Sequence, residues 1–289
     1  MECKTVLHYT ESNKPALIKS PLRYPGGKSK AIKQILELVP EGIDTLCSPF
    51  LGGGSIELAC ASTRDIKVFG YDAFEPLVVF WQELLSNRDD LVKIITEHYY
   101  PLTRTKFYDL QKKFLSIEDR KERASAFFAL NRASFSGTTL SGGMSPEHKR
   151  FTESSIDRIR NFTIDKNKFT VKHADFRDSI VQHKDDFMYL DPPYLIDQKL
   201  YGKNGDMHSS FDHKALADLL TKREGWILSY NDCTEIRELY KGHEFLEPKW
   251  TYGMNNSKKS NEVLILSKAF EYAIHGTSRP AGEAQRIIP

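Results

Sequence analysis

The feature that most narrows the fold is an apolar strand that runs into glycines and then into a helix. Ile43-Asp-Thr-Leu-Cys47 reads as the strand, Ser48-Pro-Phe-Leu-Gly-Gly-Gly-Ser55 as the turn, and Ile56 to Ser62 as the helix. A second unit follows directly: the strand Lys67-Val-Phe-Gly-Tyr-Asp72 ends in a carboxylate, and Glu75 to Leu85 carries its apolar positions on one helical face. Consecutive strand–helix units need crossovers between parallel strands, so the chain is predicted to be α/β, with a doubly wound, Rossmann-like sheet. Further strands are read at Phe169-Thr-Val-Lys-His173, Phe187-Met-Tyr-Leu190, Trp226-Ile-Leu-Ser-Tyr230 and Glu262-Val-Leu-Ile-Leu266. A helix from His213 to Lys222 separates the second and third of these.

Between Leu91 and about Ile164 the pattern changes to charged helical segments and then to a turn-rich stretch, Ser134 to Pro146, with little apolar content. This is read as an inserted, mainly helical subdomain over 98–164, dividing a catalytic domain made of 21–97 and 165–270. Charge supports the division. The whole chain is +2, but His98 to Lys172 holds 15 Lys and Arg against 8 Asp and Glu, which leaves the remainder acidic. A basic insert in a mildly acidic protein suits a polyanion, although a solvated helical surface would give the same balance. The last segment, 271–289, breaks the pattern and reads as a disordered tail.

The 289 residues are 40% hydrophobic and 28% charged, as expected of a soluble globular protein, and no apolar run approaches the roughly 18 residues of a membrane span. Met1 to Ser20 lacks the apolar core of a secretory signal, so a cytoplasmic protein is expected. Cys3, Cys47, Cys60 and Cys233 have neither CxxC spacing nor clustered histidines; no metal site and no disulfide framework is expected.

Gly52-Gly-Gly54, between a strand and a helix, lets a ligand approach the backbone closely, as an adenosyl group would; a plain tight turn is the alternative. Asp72 ends the next strand about 20 residues on, where it could accept from ribose hydroxyls or simply start a helix. Tyr24-Pro-Gly-Gly-Lys28 superficially matches a phosphate loop, but the first glycine of that pattern falls on Leu22, which removes the nucleotide-triphosphatase reading. The strongest signal is Met188-Tyr-Leu-Asp-Pro-Pro-Tyr194. Its prolines end the strand and stiffen the loop, leaving Asp191 and the Pro192 carbonyl as two acceptors beside the ring of Tyr194. Two acceptors on an exocyclic NH2 return electron density to a nitrogen whose lone pair is delocalised into a base. Attack at cytosine C5 would instead need an activated cysteine, which no Pro-Cys dipeptide offers.

Taken in order, Tyr24 to Lys28, Pro49-Phe-Leu-Gly-Gly-Gly-Ser55, Asp72 and Asp191-Pro-Pro-Tyr194 resemble the Dam-like (class α) DNA adenine-N6 methyltransferases. The resemblance runs from about Pro21 to Leu266. It takes in Leu130-Asn-Arg132 with Gly137, Ser210-Phe211, Ile227 to Asn231, and Asn255-Asn256 with Lys258-Lys259. It implies a seven-stranded methyltransferase sheet with its last strand antiparallel, a target-recognition subdomain in the insert, and S-adenosyl-L-methionine as cofactor. It further implies that Tyr24, Lys28, Asp72 and Asp191 contact the cofactor, that Phe50, Gly52 and Gly54 wall its pocket, and that Asp175 and Phe176 meet its adenine. Asp191, Pro192 and Tyr194 would act on an adenine flipped out of double-stranded DNA. Arg132, Ser134, Lys149, Arg150, Lys258 and Lys259 would contact the DNA, and a cognate restriction endonuclease would be the genetic partner. Tyr24 stands where enterobacterial members carry tryptophan, and Ser134 to Pro146 departs from the GATC-reading members. Cytosine N4 or RNA as target, a non-catalytic nucleic-acid binder, and a dinucleotide-dependent oxidoreductase are the competing readings; the oxidoreductase has no use for Asp191-Pro-Pro-Tyr194.

Overall fold

The computed structural model describes residues 16–146, 150–195, 211–248 and 262–268. Strands β1 (Thr45–Ser48), β2 (Lys67–Asp72), β3 (Phe169–His173), β4 (Phe187–Leu190), β5 (Trp226–Asn231), β6 (Glu244–Leu246) and β7 (Glu262–Leu266) form one sheet in the order β3-β2-β1-β4-β5-β7-β6. The first five are parallel, and β7 lies antiparallel between β5 and β6. The expected methyltransferase-type sheet is therefore present. Its seventh strand, β6, has three half-buried residues at the sheet edge and is too short for a periodicity signal.

Strands β1 and β4 pair through Leu46 with Phe187 and Cys47 with Met188, and their connections leave in opposite directions. Every residue of β4 is buried, because helices cover both faces of a parallel sheet. Leu46 and Tyr189 join the apolar cluster on one face, whereas Cys47, Met188 and Leu190 join that on the other. Helices α1 (Ile32–Leu38) and α2 (Ser55–Thr63) accompany the first crossover.

The chain from β2 to β3 forms α3 (Glu75–Ile94), α4 (Arg104–Lys113), α5 (Arg120–Ala133) and α6 (Glu153–Arg160). Helix α3 outruns the stretch expected to stop at Leu85. Its backbone breaks only at Asn87, whose carboxamide donates to Glu83 at 2.6 Å, and then resumes. These helices build no separate core: Phe107, Phe114, Phe127, Phe128 and Ile159 belong to the same cluster as Trp81, Leu46 and Val68. Phe80 and Phe128 stack at 5.9 Å where α3 meets α5. Beyond β3 come α7 (Phe176–Gln182), α8 (His213–Leu220) and α9 (Thr234–Leu239). The expected tail at 271–289 lies outside the described residues.

Trp81 links this core to the sheet edge. It is fully buried, packs on Phe162 and Phe169, and its indole N–H donates to the Gly52 carbonyl at 3.1 Å. Trp81→Ala is expected to lower the unfolding free energy by about 3–5 kcal/mol, read as a fall in urea midpoint at constant m-value. A loss below about 1 kcal/mol would contradict this packing.

Candidate active site

In an open α/β sheet the crevice lies beyond the carboxyl ends of the strands, where the connections diverge. Here that point is between β1 and β4. A cavity of ≈ 270 Å³ opens there, lined by Tyr24, Lys28, Phe50, the three glycines, Asp72, Asp175, Phe176 and Asp191. The residues expected around a cofactor, drawn from five separate chain segments, thus line one cavity.

The glycine turn is shaped by what stands over it. Gly52 has φ +48°, and a Cβ there would come within 2.9 Å of the Tyr24 ring. A side chain would therefore be strained in backbone and blocked in space. Asp72 fixes the turn from below: its carboxylate accepts from the Gly52 N–H at 3.0 Å and from the Phe74 N–H at 2.9 Å. The helix-starting alternative is not met: α3 has Phe74 as its N-cap and no side-chain cap, and Asp72 instead joins two loops and lines the cavity. Burial raises the Asp72 pKa, against the pull of the two backbone donors. At the other wall Phe50, Phe176 and Phe211 pack with ring centroids 5.2–5.6 Å apart. Asp175 caps α7 through the Arg177 N–H at 2.8 Å, and the Arg177 guanidinium lies 4.5 Å from the Phe176 ring.

The stiff loop after β4 meets the Tyr24 loop through Lys28, which is only 3% exposed. Its ammonium donates to both Asp191 oxygens (2.8 and 2.9 Å), to the Gly26 carbonyl (3.0 Å) and to the Tyr194 hydroxyl (2.8 Å). Glu262, at the start of β7, lies 3.6 Å from the same ammonium. Burial raises the Asp191 pKa; Lys28 opposes this and Glu262 reinforces it. Tyr194 is backed by Tyr230, with the rings at 5.9 Å and 27°. Burial pushes up the thiols of Cys47 and Cys60, the latter to about 12, so neither is a ready nucleophile. Among the described residues no cluster of His, Cys, Asp and Glu could hold a metal ion, and no helix is long and apolar enough to cross a membrane.

The residues expected on DNA fare differently. Ser134 is fully buried; its hydroxyl donates to the Asn131 carbonyl and accepts from the Thr139 N–H. In this structure the hydroxyl is spent on shaping its own loop. Arg132 is nine-tenths buried, with donors on the Pro21 and Arg150 carbonyls, and lines a groove with Arg23 and Arg158. Lys149, Lys258 and Lys259 lie outside the described residues. Asn131, which carried no role in the sequence, is the hub of this region. Its carboxamide accepts from the Arg23 N–H at 2.9 Å and donates to the Arg23 carbonyl at 2.8 Å, the Gly137 carbonyl and the Thr139 hydroxyl. Gly137, at φ +80°, fits so closely that a Cβ would fall 2.2 Å from the Arg23 carbonyl oxygen.

Three further residues were given no site role in the sequence. Phe211 completes the aromatic wall, Glu262 faces Lys28, and Glu57 lines the cavity from the first turn of α2. Phe211 belongs to the Ser210-Phe211 pair of the resemblance, and Glu57 had a signal of its own: it interrupts the otherwise apolar run Ile56 to Ala61, all of which is buried.

A family model for D12 class N6 adenine-specific DNA methyltransferases matches residues 24–254. Modification methylase StsI of Streptococcus sanguinis is 28% identical over 86% of this chain, which spans 43% of that relative's length. Type II methyltransferase M1.LlaDCHI of Lactococcus lactis subsp. cremoris is 22% identical over 85% of this chain and 94% of its own. The DNA adenine methylase of Haemophilus influenzae is 25% identical over 83% and 89% respectively.

Glu57 makes the fold pH-dependent. Its carboxyl, 2% exposed, accepts from the Ser48 hydroxyl at 2.7 Å, and burial raises its pKa from 4.5 to about 7. The folded state holds this proton more tightly than the unfolded chain, so the contribution is full below about pH 4.5 and is lost as pH rises to about 7. Glu57→Gln should remove that slope and leave the ligand-free protein roughly 1–3 kcal/mol more stable than wild type at pH 8, measured by chemical denaturation across pH. An unchanged slope would contradict the assignment.

Proposed function

The chain belongs to the D12 class N6 adenine-specific DNA methyltransferases, and on that premise we propose that it methylates N6 of an adenine flipped out of duplex DNA. S-adenosyl-L-methionine supplies the methyl group, carried on a positively charged sulfur. The observation that carries this reading is the joining of Asp191-Pro-Pro-Tyr194 to the glycine-walled cavity through Lys28.

The cavity suits the cofactor by its own chemistry. The glycine turn leaves room against the backbone, Phe50, Phe176 and Phe211 offer flat faces for an adenine, and Asp72 offers acceptors for ribose hydroxyls. Lys28 and Arg177 are the cations that line the cavity, and Tyr24 closes the turn. Asp191 and the Pro192 carbonyl accept the two amino hydrogens of the target base, while Tyr194, held by Tyr230 behind it, provides the stacking ring. Because burial raises its pKa, Asp191 is also suited to take the surplus proton that N6 carries after methylation.

For the DNA, four arginines favour backbone phosphates. Burial first, and then repulsion from Arg158, Arg23 and Arg150, lower the Arg132 pKa to about 10. The Nε of Arg132 is buried without a partner, and among the described residues none of the four pairs with a carboxylate. Such a cluster gains from a polyanion. Lys149, Lys258 and Lys259 are proposed on the sequence alone. The helices and turns of 98–164 would be the target-recognition part. Two of the relatives above are named as modification or type II methyltransferases, so a restriction endonuclease is the genetic partner we propose, with both acting on DNA in the cytoplasm.

Asp191→Asn should cut the rate of N6-methyladenine formation by about a hundredfold to a thousandfold, measured by mass spectrometry of digested DNA. Near-wild-type turnover would sink the mechanism. S-adenosylhomocysteine, and not NAD, should raise the melting temperature. Arg158→Ala should reduce the slope of log binding constant against log salt by about 0.9, and an unchanged slope would remove Arg158 from the phosphate contacts.

A further inference from the structure

Tyr194 has one hydroxyl proton and several claimants for it. Its oxygen lies 2.8 Å from the Lys28 ammonium, 2.8 Å from a Glu262 carboxylate oxygen, 3.2 Å from Asp191 and 3.4 Å from the Ser229 hydroxyl. An ammonium can only donate, so the tyrosine oxygen accepts from Lys28 and its single proton goes to one carboxylate. Glu262 is the nearer. The order Lys28 to Tyr194 to Glu262 is then a directed chain of hydrogen bonds, and it points the hydroxyl away from Asp191.

The frame that holds Glu262 is rigid. It stands opposite Asn231 in the antiparallel β5–β7 ladder. The Asn231 carboxamide in turn clasps the backbone N–H and C=O of Leu195, both at 2.9 Å, fixing the residue after Tyr194. Lys28 also lies 3.6 Å from Glu262, so one buried ammonium faces two carboxylates. If the tyrosine proton turned to Asp191, that carboxylate would accept from Lys28 on both oxygens and from Tyr194 as well. It would then be a weaker acceptor for an amino group and a weaker base.

We propose that Glu262 is a positioning residue that draws the Tyr194 hydroxyl proton to itself and so keeps Asp191 open to the amino group of the target base. The proposal rests on the amino-methylation reading above and adds to it a residue on the antiparallel strand. Glu262→Gln keeps the shape and removes the charge. Whichever way its amide sits, a neutral acceptor competes poorly with the Asp191 carboxylate for the tyrosine proton.

The test begins with the cofactor-free protein. Among the described residues, the groups facing Asp191 are Lys28, Tyr194, Glu262 on β7 and Glu57 on α2. Carboxyl-carbon NMR should give a lower Asp191 pKa in Glu262→Gln, by about half a unit or more, since a negative neighbour is lost and a donor gained. Glu262→Asp, which keeps the charge, should stay near wild type. In turnover, kcat of Glu262→Gln should fall about tenfold with KM for DNA unchanged, and the acid limb of the kcat profile should move to lower pH. In a Tyr194→Phe background the same change should cost much less, because the hydroxyl it acts through is gone. Melting curves establish that each variant is folded. An unshifted Asp191 pKa, an unchanged kcat, or an equal loss in the Tyr194→Phe background would overturn the proposal. Wild-type protein that forms no N6-methyladenine would overturn the methylation reading instead.

Discussion

A lysine ammonium with almost no access to water, seated on the carboxylate that ends β4, organises the whole carboxyl edge of the sheet. Removing an ammonium and a carboxylate from water costs several kcal/mol per ion unless their remaining donors and acceptors are met. Lys28 meets this condition with the Gly26 carbonyl, the Tyr194 hydroxyl and both oxygens of Asp191. The contact spans 163 positions of chain, so it closes the site between segments that the sheet alone does not join. The loop it anchors carries Tyr24 onto Gly52, and Asp72 and Trp81 hold that glycine through its N–H and its carbonyl. The shape of the cavity therefore follows from one ion pair and one glycine.

Trp81 shows how this edge is supported from the helical side. Its ring packs among phenylalanines from β3 and from the segment after α6, while its N–H reaches back to Gly52. The helices between β2 and β3 are thus continuous with the sheet's own core, and the basic segment is braced against the glycine turn rather than hung from it.

The sheet was legible in the sequence because strands covered on both faces read as unbroken apolar runs, as Phe187 to Leu190 does, and because prolines and acids mark their ends. The edge strand Glu244–Leu246 left no such run. Helix α3 runs beyond the apolar face of Glu75 to Leu85 because packing along α5 carries it on past the local break at Asn87. At the site, Asp72 and Asp191-Pro-Pro-Tyr194 could be read from position alone, since a strand end dictates where its side chains project. Glu262 and Asn131 could not. Both are polar residues beside long apolar stretches, and their roles come from partners more than 60 residues away. Ser134 is a related case, since a serine in a turn is ambiguous in sequence until its hydroxyl is seen to bond its own loop.

The Asn131 carboxamide carries an evolutionary consequence. It fastens the Tyr24 loop and the start of the Ser134–Pro146 stretch into one piece, with Gly137 pressed against the Arg23 carbonyl. Sequence drift at 131–139 is therefore constrained twice, by the packing of its own turn and by the Tyr24 wall of the cavity. The far side of the stretch is tied back as well, the Ser145 N–H to the Ala133 carbonyl and the Gln111 carboxamide to the Gly142 carbonyl, so a change there is transmitted to the same root at 131–139.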